Sequence, residues 1–187
     1  IECGGVHVAA RRSADAADVV EHLKDVNMEQ LAISEIELDD SQSRVTIRSV
    51  PDRPGIAALV FEEVAAAGVF VDMIVQSHKG RNGVASLSFT VPRTQLNEAL
   101  ALAERLREVC ELQRVTSSRN VAKLSVSGIG LRSHTDVAIR MFHALAEQGV
   151  NVEMINTSEV RVNVVVNSEK GQTGLAALQR AFADVRL

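Results

Sequence analysis

One stretch of this chain is written twice, and the duplication limits the possible folds more than any other feature. The segment from Val45 to Ser77, VTIRSVPDRPGIAALVFEEVAAAGVFVDMIVQS, returns between Leu124 and Ser158 as LSVSGIGLRSHTDVAIRMFHALAEQGVNVEMINTS. The helically spaced apolar residues Ala57, Val60, Phe61 and Val64 map at one constant offset onto Ala138, Met141, Phe142 and Leu145. The same offset carries Gly68 onto Gly149, Asp72 onto Glu153, Met73 onto Met154, Ile74 onto Ile155 and Ser77 onto Ser158. A repeat of this size predicts two similar cores and, if either copy binds a ligand, two related pockets. A length of 187 residues leaves room for two small domains.

Hydrophobic spacing gives each copy its elements. In the first, residues 45–50 read as a strand, PDRPG as a turn, 56–67 as a helix stopped by Gly68, and 69–75 as a second strand. After the polar turn SHKGRNG, residues 84–91 alternate, with Ala85, Leu87, Phe89 and Val91 on one face and Ser86, Ser88 and Thr90 on the other. Pro92 and Thr94 open a helix with Leu96, Ala99, Leu100, Ala103 and Leu106 on one stripe, and 112–115 forms a last short strand. The unit is βαββαβ, the ferredoxin-like arrangement of two helices on one face of a four-stranded antiparallel sheet, so the fold class is α+β.

The second copy predicts strands at 121–127, 150–156 and 160–166 and helices at 136–148 and 173–183, with no fourth strand before Leu187. A sheet lacking that strand exposes backbone hydrogen-bonding groups, so another segment must take its place. The candidate is 30–38, QLAISEIEL, with Leu31, Ile33 and Glu35 alternating against Ala32, Ser34 and Ile36. The first domain, 44–116, is then inserted in a second made of 28–40 and 120–187. Residues 1–27 carry a short strand at 6–8 and a helix at 14–24 that fit neither repeat.

Composition removes several function classes. With a net charge of -4 and five Phe as the whole aromatic complement, the chain lacks the basic patches and stacking residues of a nucleic-acid binder. No apolar run reaches the ~20 residues that span a bilayer, and IECGGVHVAARR lacks the layout of a secretory signal, so a cytoplasmic protein without membrane partners is expected. Cys3 and Cys110 stand far apart, as in a reduced compartment. Cys3 and His7, and His78, His134 and His143, show no paired metal-ligand spacing. GIGLRS at 128–133 imitates a dinucleotide fingerprint but has Ser133 at the third glycine position and no parallel βαβ context. Neither a nucleophile motif nor a P-loop is present, so no catalytic residue is expected on this chain.

The doubled unit, with PDRPGIA after the first strand, VDMIVQS on the second, SGIGLRSH in the second copy and VEMINTSEVRV within it, resembles the tandem ACT-domain regulatory region of aspartate kinases. The likeness runs from about Met28 to Leu187, and GVHVAARRS resembles the last strand of the catalytic domain, which makes 1–27 the tail of a kinase domain or a linker. The resemblance implies an allosteric module that binds threonine, lysine or both as feedback inhibitors. It also implies a homodimer through the ACT domains and an attached kinase domain or subunit that uses ATP and Mg. Such kinases have their first ACT domain inserted in the second. A pair serving mainly as an oligomerisation scaffold is the alternative.

A free amino acid presents an ammonium and a carboxylate. Gly55 opens the first helix, whose first-turn N–H groups can hold a carboxylate. Asp52 can take the ammonium, or can serve as turn former or helix cap. Gln76 can read a hydroxyl or amide, or simply end a strand. By resemblance the first effector site comprises Asp52, Arg53, Pro54, Gly55, Ile56, Ala57 and Gln76, facing Asn151, Val152 and Glu153 of a partner chain. The second would place Ser133, His134, Thr135, Asp136, Val137 and Ala138 opposite Phe70, Val71 and Asp72, with Ser158 and Glu159 nearby. There the family's Pro-Gly is replaced by Thr135 and Asp136. A carboxylate then stands where an effector carboxylate would dock, or acts as a helix-terminal cap.

Overall fold

The computed structural model describes residues 32–77, 84–109, 114–129, 131 and 135–186. The expected elements at 6–8 and 14–24, Met28, the turn at 78–83, both cysteines, Leu112, Ser133 and His134 lie outside them. Among the described residues eight strands and four α-helices follow in order: β1 Ala32–Asp39, β2 Gln42–Pro51, α1 Ile56–Ala66, β3 Ile74–Gln76, β4 Val84–Pro92, α2 Leu96–Val109, β5 Arg114–Ser118, β6 Val121–Ile129, α3 Thr135–Glu147, β7 Val152–Thr157, β8 Arg161–Asn167 and α4 Gly171–Ala181.

The strands form two four-stranded sheets, ordered β3-β4-β2-β5 and β1-β6-β8-β7. Within each βαββαβ unit this is the ferredoxin-like order, and β1 occupies in the second sheet the place that β5 holds in the first. It runs antiparallel to β6 from Ala32↔Ile129 to Asp39↔Lys123. The simple alternation expected for this segment is broken by a register shift between Ile33 and Glu35. The extra residue turns both Ile33 and Ile36 into the core, 0% and 7% exposed. The C-terminal turn covers the far side of β1, where the Ile33 N–H donates to the Val185 carbonyl at 2.8 Å. Phe182, fully buried, anchors this turn beneath the Arg140 guanidinium, 5.1 Å from the ring centre.

Each sheet packs one face on two helices. Val45, Ile47, Leu87, Phe89 and Val91 meet Val60, Val64, Leu96, Ala99 and Leu106 in the first core. Leu124, Val126, Val162 and Val164 meet Met141, Leu145 and Leu178 in the second. Helix α1 sits slightly rotated from expectation. Its buried stripe is Ile56, Val60 and Val64, while Ala57 is exposed. On α2 the buried set also takes in Leu102, and Leu100 is only partly covered.

The second strand of the first copy is shorter than its apolar sequence predicts. Regular pairing begins only at Ile74; before it both Asp72 and Met73 oppose Thr90, whose carbonyl accepts the Asp72 N–H at 3.1 Å, whose N–H donates to the Met73 carbonyl at 3.0 Å and whose hydroxyl accepts the Met73 N–H at 3.0 Å. Residues 69–73 instead form an irregular approach to β3, turned by Gly68 at φ 70°.

The first strands of the two copies differ by a β-bulge that β2 has and the β6–β8 ladder lacks. Ser49 adopts the left-handed conformation, φ 58°, and the β2–β4 register shifts between Arg48 and Val50. The bulge directs Val50 inward, to 5% exposure. The β6–β8 ladder runs without a shift, so Ile129, the counterpart of Val50, remains 57% exposed and Leu131 fills the core instead.

Candidate functional site

The turn that follows this bulge builds a cavity. Two prolines frame it: Pro51 ends β2 and Pro54 opens the turn, whose backbone is fixed by Arg53 N–H to the Pro51 carbonyl at 3.0 Å. Gly55 then takes φ 93° and ψ -20°, a conformation open to glycine and costly for residues with a Cβ. No atom lies within 4 Å of where a Cβ on Gly55 would stand. No side chain caps α1, which leaves first-turn N–H groups for a bound anion.

Asp52, Arg53, Pro54, Gly55, Ile56, Ala57 and Gln76 all line this one cavity of about 350 Å³. They come together because β3 lies beside β4, with Gln76 opposite Leu87, while β2 delivers the turn from the other side of β4. Val50, Pro51, Ala85 and Leu87 complete the lining and were not anticipated as site residues. Their signal was present, since Ala85 and Leu87 fall on the apolar face of an alternating strand beside Gln76. The cavity therefore has an apolar floor beneath a polar mouth, in which Asp52 and Arg53 are exposed on the turn. A carboxylate, a cationic side chain, an amide and a helix N-terminus converge at its opening.

Asn151, Val152 and Glu153 belong to the second domain and do not line the cavity of their own chain. Val152 begins β7 opposite Val166, and a register shift sets Glu153 out of the ladder. The Glu153 carboxylate accepts from Arg44 Nη1 of β2 at 2.5 Å.

The residues expected at a second site are less converged. Phe70 is 76% exposed, its N–H held at 3.0 Å by the Gln95 side-chain oxygen. Val71 is partly buried against the first core, and the Asp72 carboxylate pairs with the Lys123 ammonium. Val137 is buried and Ala138 half-buried on α3, where Asp136 supplies a negative charge to the first turn. The Ser158 hydroxyl and N–H both point to the Arg161 carbonyl, at 3.3 and 2.8 Å, closing the β7–β8 hairpin. Its repeat counterpart Ser77 closes the β3–β4 hairpin on Ser86, its N–H donating to the Ser86 carbonyl at 2.8 Å while its hydroxyl accepts the Ser86 N–H at 2.8 Å. Glu159 is exposed in the same hairpin. Thr135 begins α3.

Two ferredoxin-like units, one threaded through the other, are the architecture of a pair of ACT domains. The ACT-domain family profile matches residues 45–105 and 124–182. The chain is 39% identical over 156 residues to the aspartate kinase of Stutzerimonas stutzeri, covering 83% of this chain and 38% of that one. It superimposes on the regulatory subunit of aspartate kinase from Thermus flavus with a TM-score of 0.75 and 36% identity, covering 81% of this chain and 99% of that chain. An aspartate kinase structure from Synechocystis gives a TM-score of 0.79 at 32% identity, covering 84% of this chain and 28% of that one. The chain belongs to the aspartate kinase family, as its regulatory ACT region. It spans 38% of the length of the Stutzerimonas and Helicobacter pylori relatives, and the match falls on the regulatory part. Among the described residues no helix is long and apolar enough to cross a membrane, and no cluster of three metal-binding side chains occurs.

Proposed function

We propose that this chain is a feedback sensor in which a free amino acid, threonine, lysine or both, binds the cavity formed by Asp52 to Ala57 and Gln76 and restrains an attached kinase. The convergence of an uncapped helix start, Gly55 and Gln76 on one cavity of about 350 Å³ supports this reading most directly. The ligand carboxylate docks on the first-turn N–H groups of α1, its ammonium on Asp52, and its side-chain polar atom on Gln76. Such a volume lies at the small end of ligand pockets. Inhibition then requires a coupling of about 1–3 kcal/mol between effector and kinase, supplied by unequal affinity for the active and inactive states.

The cavity is completed by a second copy of the chain. β3 and β7 are edge strands of their sheets and carry the exposed apolar residues Ile74 and Ile155. Antiparallel pairing of β3 with β7 of another copy, Ile74 opposite Ile155, sets Gln76 opposite Glu153 and brings 151–153 to the cavity mouth. The same exposed edges favour a scaffold reading, in which the dimer forms without sensing an effector.

Thermal melting of the chain with each amino acid separates the two. An effector at ~100 times its dissociation constant adds about 2.7 kcal/mol of stability. A dimer that neither threonine nor lysine stabilises at saturation would refute the sensor reading.

A further inference from the structure

The joint between the two domains repeats a single arrangement about an approximate two-fold. Arg44 and Lys123 immediately precede Val45 and Leu124, the first residues of the two repeats, and so hold the same position in β2 and β6. Asp72 and Glu153 likewise correspond. Each cation reaches across to the acid of the other domain: Arg44 to Glu153, and Lys123 to Asp72. The residues that follow the two acids are counterparts too: Met73 and Met154 are buried with Val121 and Val165 in a small apolar cluster separate from either core. On sequence grounds both acids were candidates for effector contact, and the structure engages both across this joint.

Beside the cluster the chain crosses between domains twice. Asp40 and Ser41 join β1 to β2, and Arg119 and Asn120 join β5 to β6. The Ser43 hydroxyl donates to the Arg119 carbonyl at 2.8 Å, tying the start of β2 to the second crossing. Two short, adjacent crossings act as a hinge. They leave rotation of one domain against the other as the cheap motion, and the ion pairs, whose cations Arg44 and Lys123 stand three residues beyond the crossings, oppose that motion. The pairs are partly exposed, with Lys123 and Asp72 at 16% and 41% and Arg44 and Glu153 at 23% and 24%, so their strength depends on salt.

The same two segments that carry the first-domain partners also line the cavity. β2 runs from Arg44 to Val50 and Pro51, and Asp72 lies four residues before Gln76. We propose that the Arg44–Glu153 and Lys123–Asp72 pairs form a conformational clamp that sets the angle between the two ACT domains of one chain. A ligand in the Asp52–Gln76 cavity acts on that angle through β2 and the segment leading into β3. The second half of this proposal rests on the amino-acid sensor reading above; the clamp itself does not.

Spin labels at Glu63→Cys on α1 and Gln179→Cys on α4, both exposed positions, report the interdomain angle once Cys3 and Cys110 are replaced by Ser. Diluting the labelled chain in unlabelled chain confines the signal to distances within one molecule. The wild-type joint gives a single narrow distance distribution. Arg44→Glu with Lys123→Glu broadens or shifts it while far-UV circular dichroism stays unchanged, and high salt moves the wild type in the same direction. Exchanging partners in both pairs, Arg44→Glu/Glu153→Arg together with Lys123→Glu/Asp72→Lys, restores the narrow distribution. An unchanged distribution in Arg44→Glu/Lys123→Glu overturns the clamp, as does a failure of the exchanged pairs to restore it. Adding threonine or lysine then tests the ligand link. A chain stabilised thermally by the amino acid but showing the same label distance with and without it overturns that link alone. Absence of any thermal stabilisation overturns the sensor reading and leaves the clamp result standing.

Discussion

Gly55 is where backbone strain and ligand access can be separated by one substitution. At φ 93° the residue is left-handed, and a side chain there costs about 1–2 kcal/mol in backbone sterics. Because nothing lies within 4 Å of the added Cβ, no packing penalty joins that cost. Reduced freedom of the unfolded chain returns roughly 0.5–1 kcal/mol, so Gly55→Ala should lose about 1 kcal/mol. For a domain of this size that is a fall in melting temperature of roughly 4–8 °C. Gly68 is the control, since it is also left-handed, at φ 70°, with open space around a Cβ, and lies outside the cavity lining. Gly68→Ala should therefore melt like Gly55→Ala and keep the full ligand response. Gly55→Asp copies the residue that Asp136 supplies in the second repeat and places a carboxylate at the mouth. It should weaken effector binding by tenfold or more, equivalent to about 1.4 kcal/mol. Melting with and without saturating amino acid measures both effects together. The strain account fails if Gly55→Ala melts like wild type while Gly68→Ala does not. Full stabilisation of Gly55→Asp by the effector would show that the α1 N-terminus does not hold its carboxylate.

Two further perturbations probe the threaded strand. A Cβ on Gly128 would stand 2.3 Å from the Ala32 carbonyl oxygen, a backbone atom, so Gly128→Ala should cost about 1–3 kcal/mol and speed amide exchange in β1 more than in β8; equal protection in both strands would contradict it. Burial pushes the Asp39 carboxyl up, but hydrogen bonds from the Ser41 hydroxyl and N–H and from Gln42, with Lys123 nearby, outweigh it and hold the group below its ordinary value. Its contribution is thus complete above the unfolded pKa of about 3.9 and is lost as pH falls through the lower folded value. The stability deficit of Asp39→Ala should shrink on acidification through that window, as followed by urea denaturation; a deficit unchanged from neutral pH to well below it would contradict the assignment.

The repeat made the architecture legible because both copies must bury the same faces with the same helical and alternating periods. The absent strand was equally legible, since a four-stranded sheet with three strands has to borrow one. Sequence failed where a side chain competed with the backbone ladder. Thr90 faces both Asp72 and Met73 and takes the Met73 N–H on its hydroxyl, and nothing in the apolar run at 69–75 announces that irregular pairing. The bulges at Ser49 and after Ile33 were hidden for a related reason, because a single residue out of register leaves composition unchanged and reverses which residue faces inward. The residues of the first candidate site line one cavity because PDRPG fixes its own turn through proline and glycine. Arg44 and Lys123 escaped notice because each stands one position before its aligned repeat, and their partners are distant in sequence.

Threading one domain through the other also sets an order of assembly. The first domain is contiguous from β2 to β5 and can close once that stretch has left the ribosome. β1, made earlier, has no sheet to join until β6 emerges, and the turn holding Phe182 and Val185 against its side of the domain is made last. For that interval it is an orphan strand, the kind of segment that pairs with the wrong neighbour. Glu35 and Glu37, two apart and exposed along it, oppose such pairing by charge repulsion between copies, so two acids that contribute little to the finished core protect the chain while it is being made.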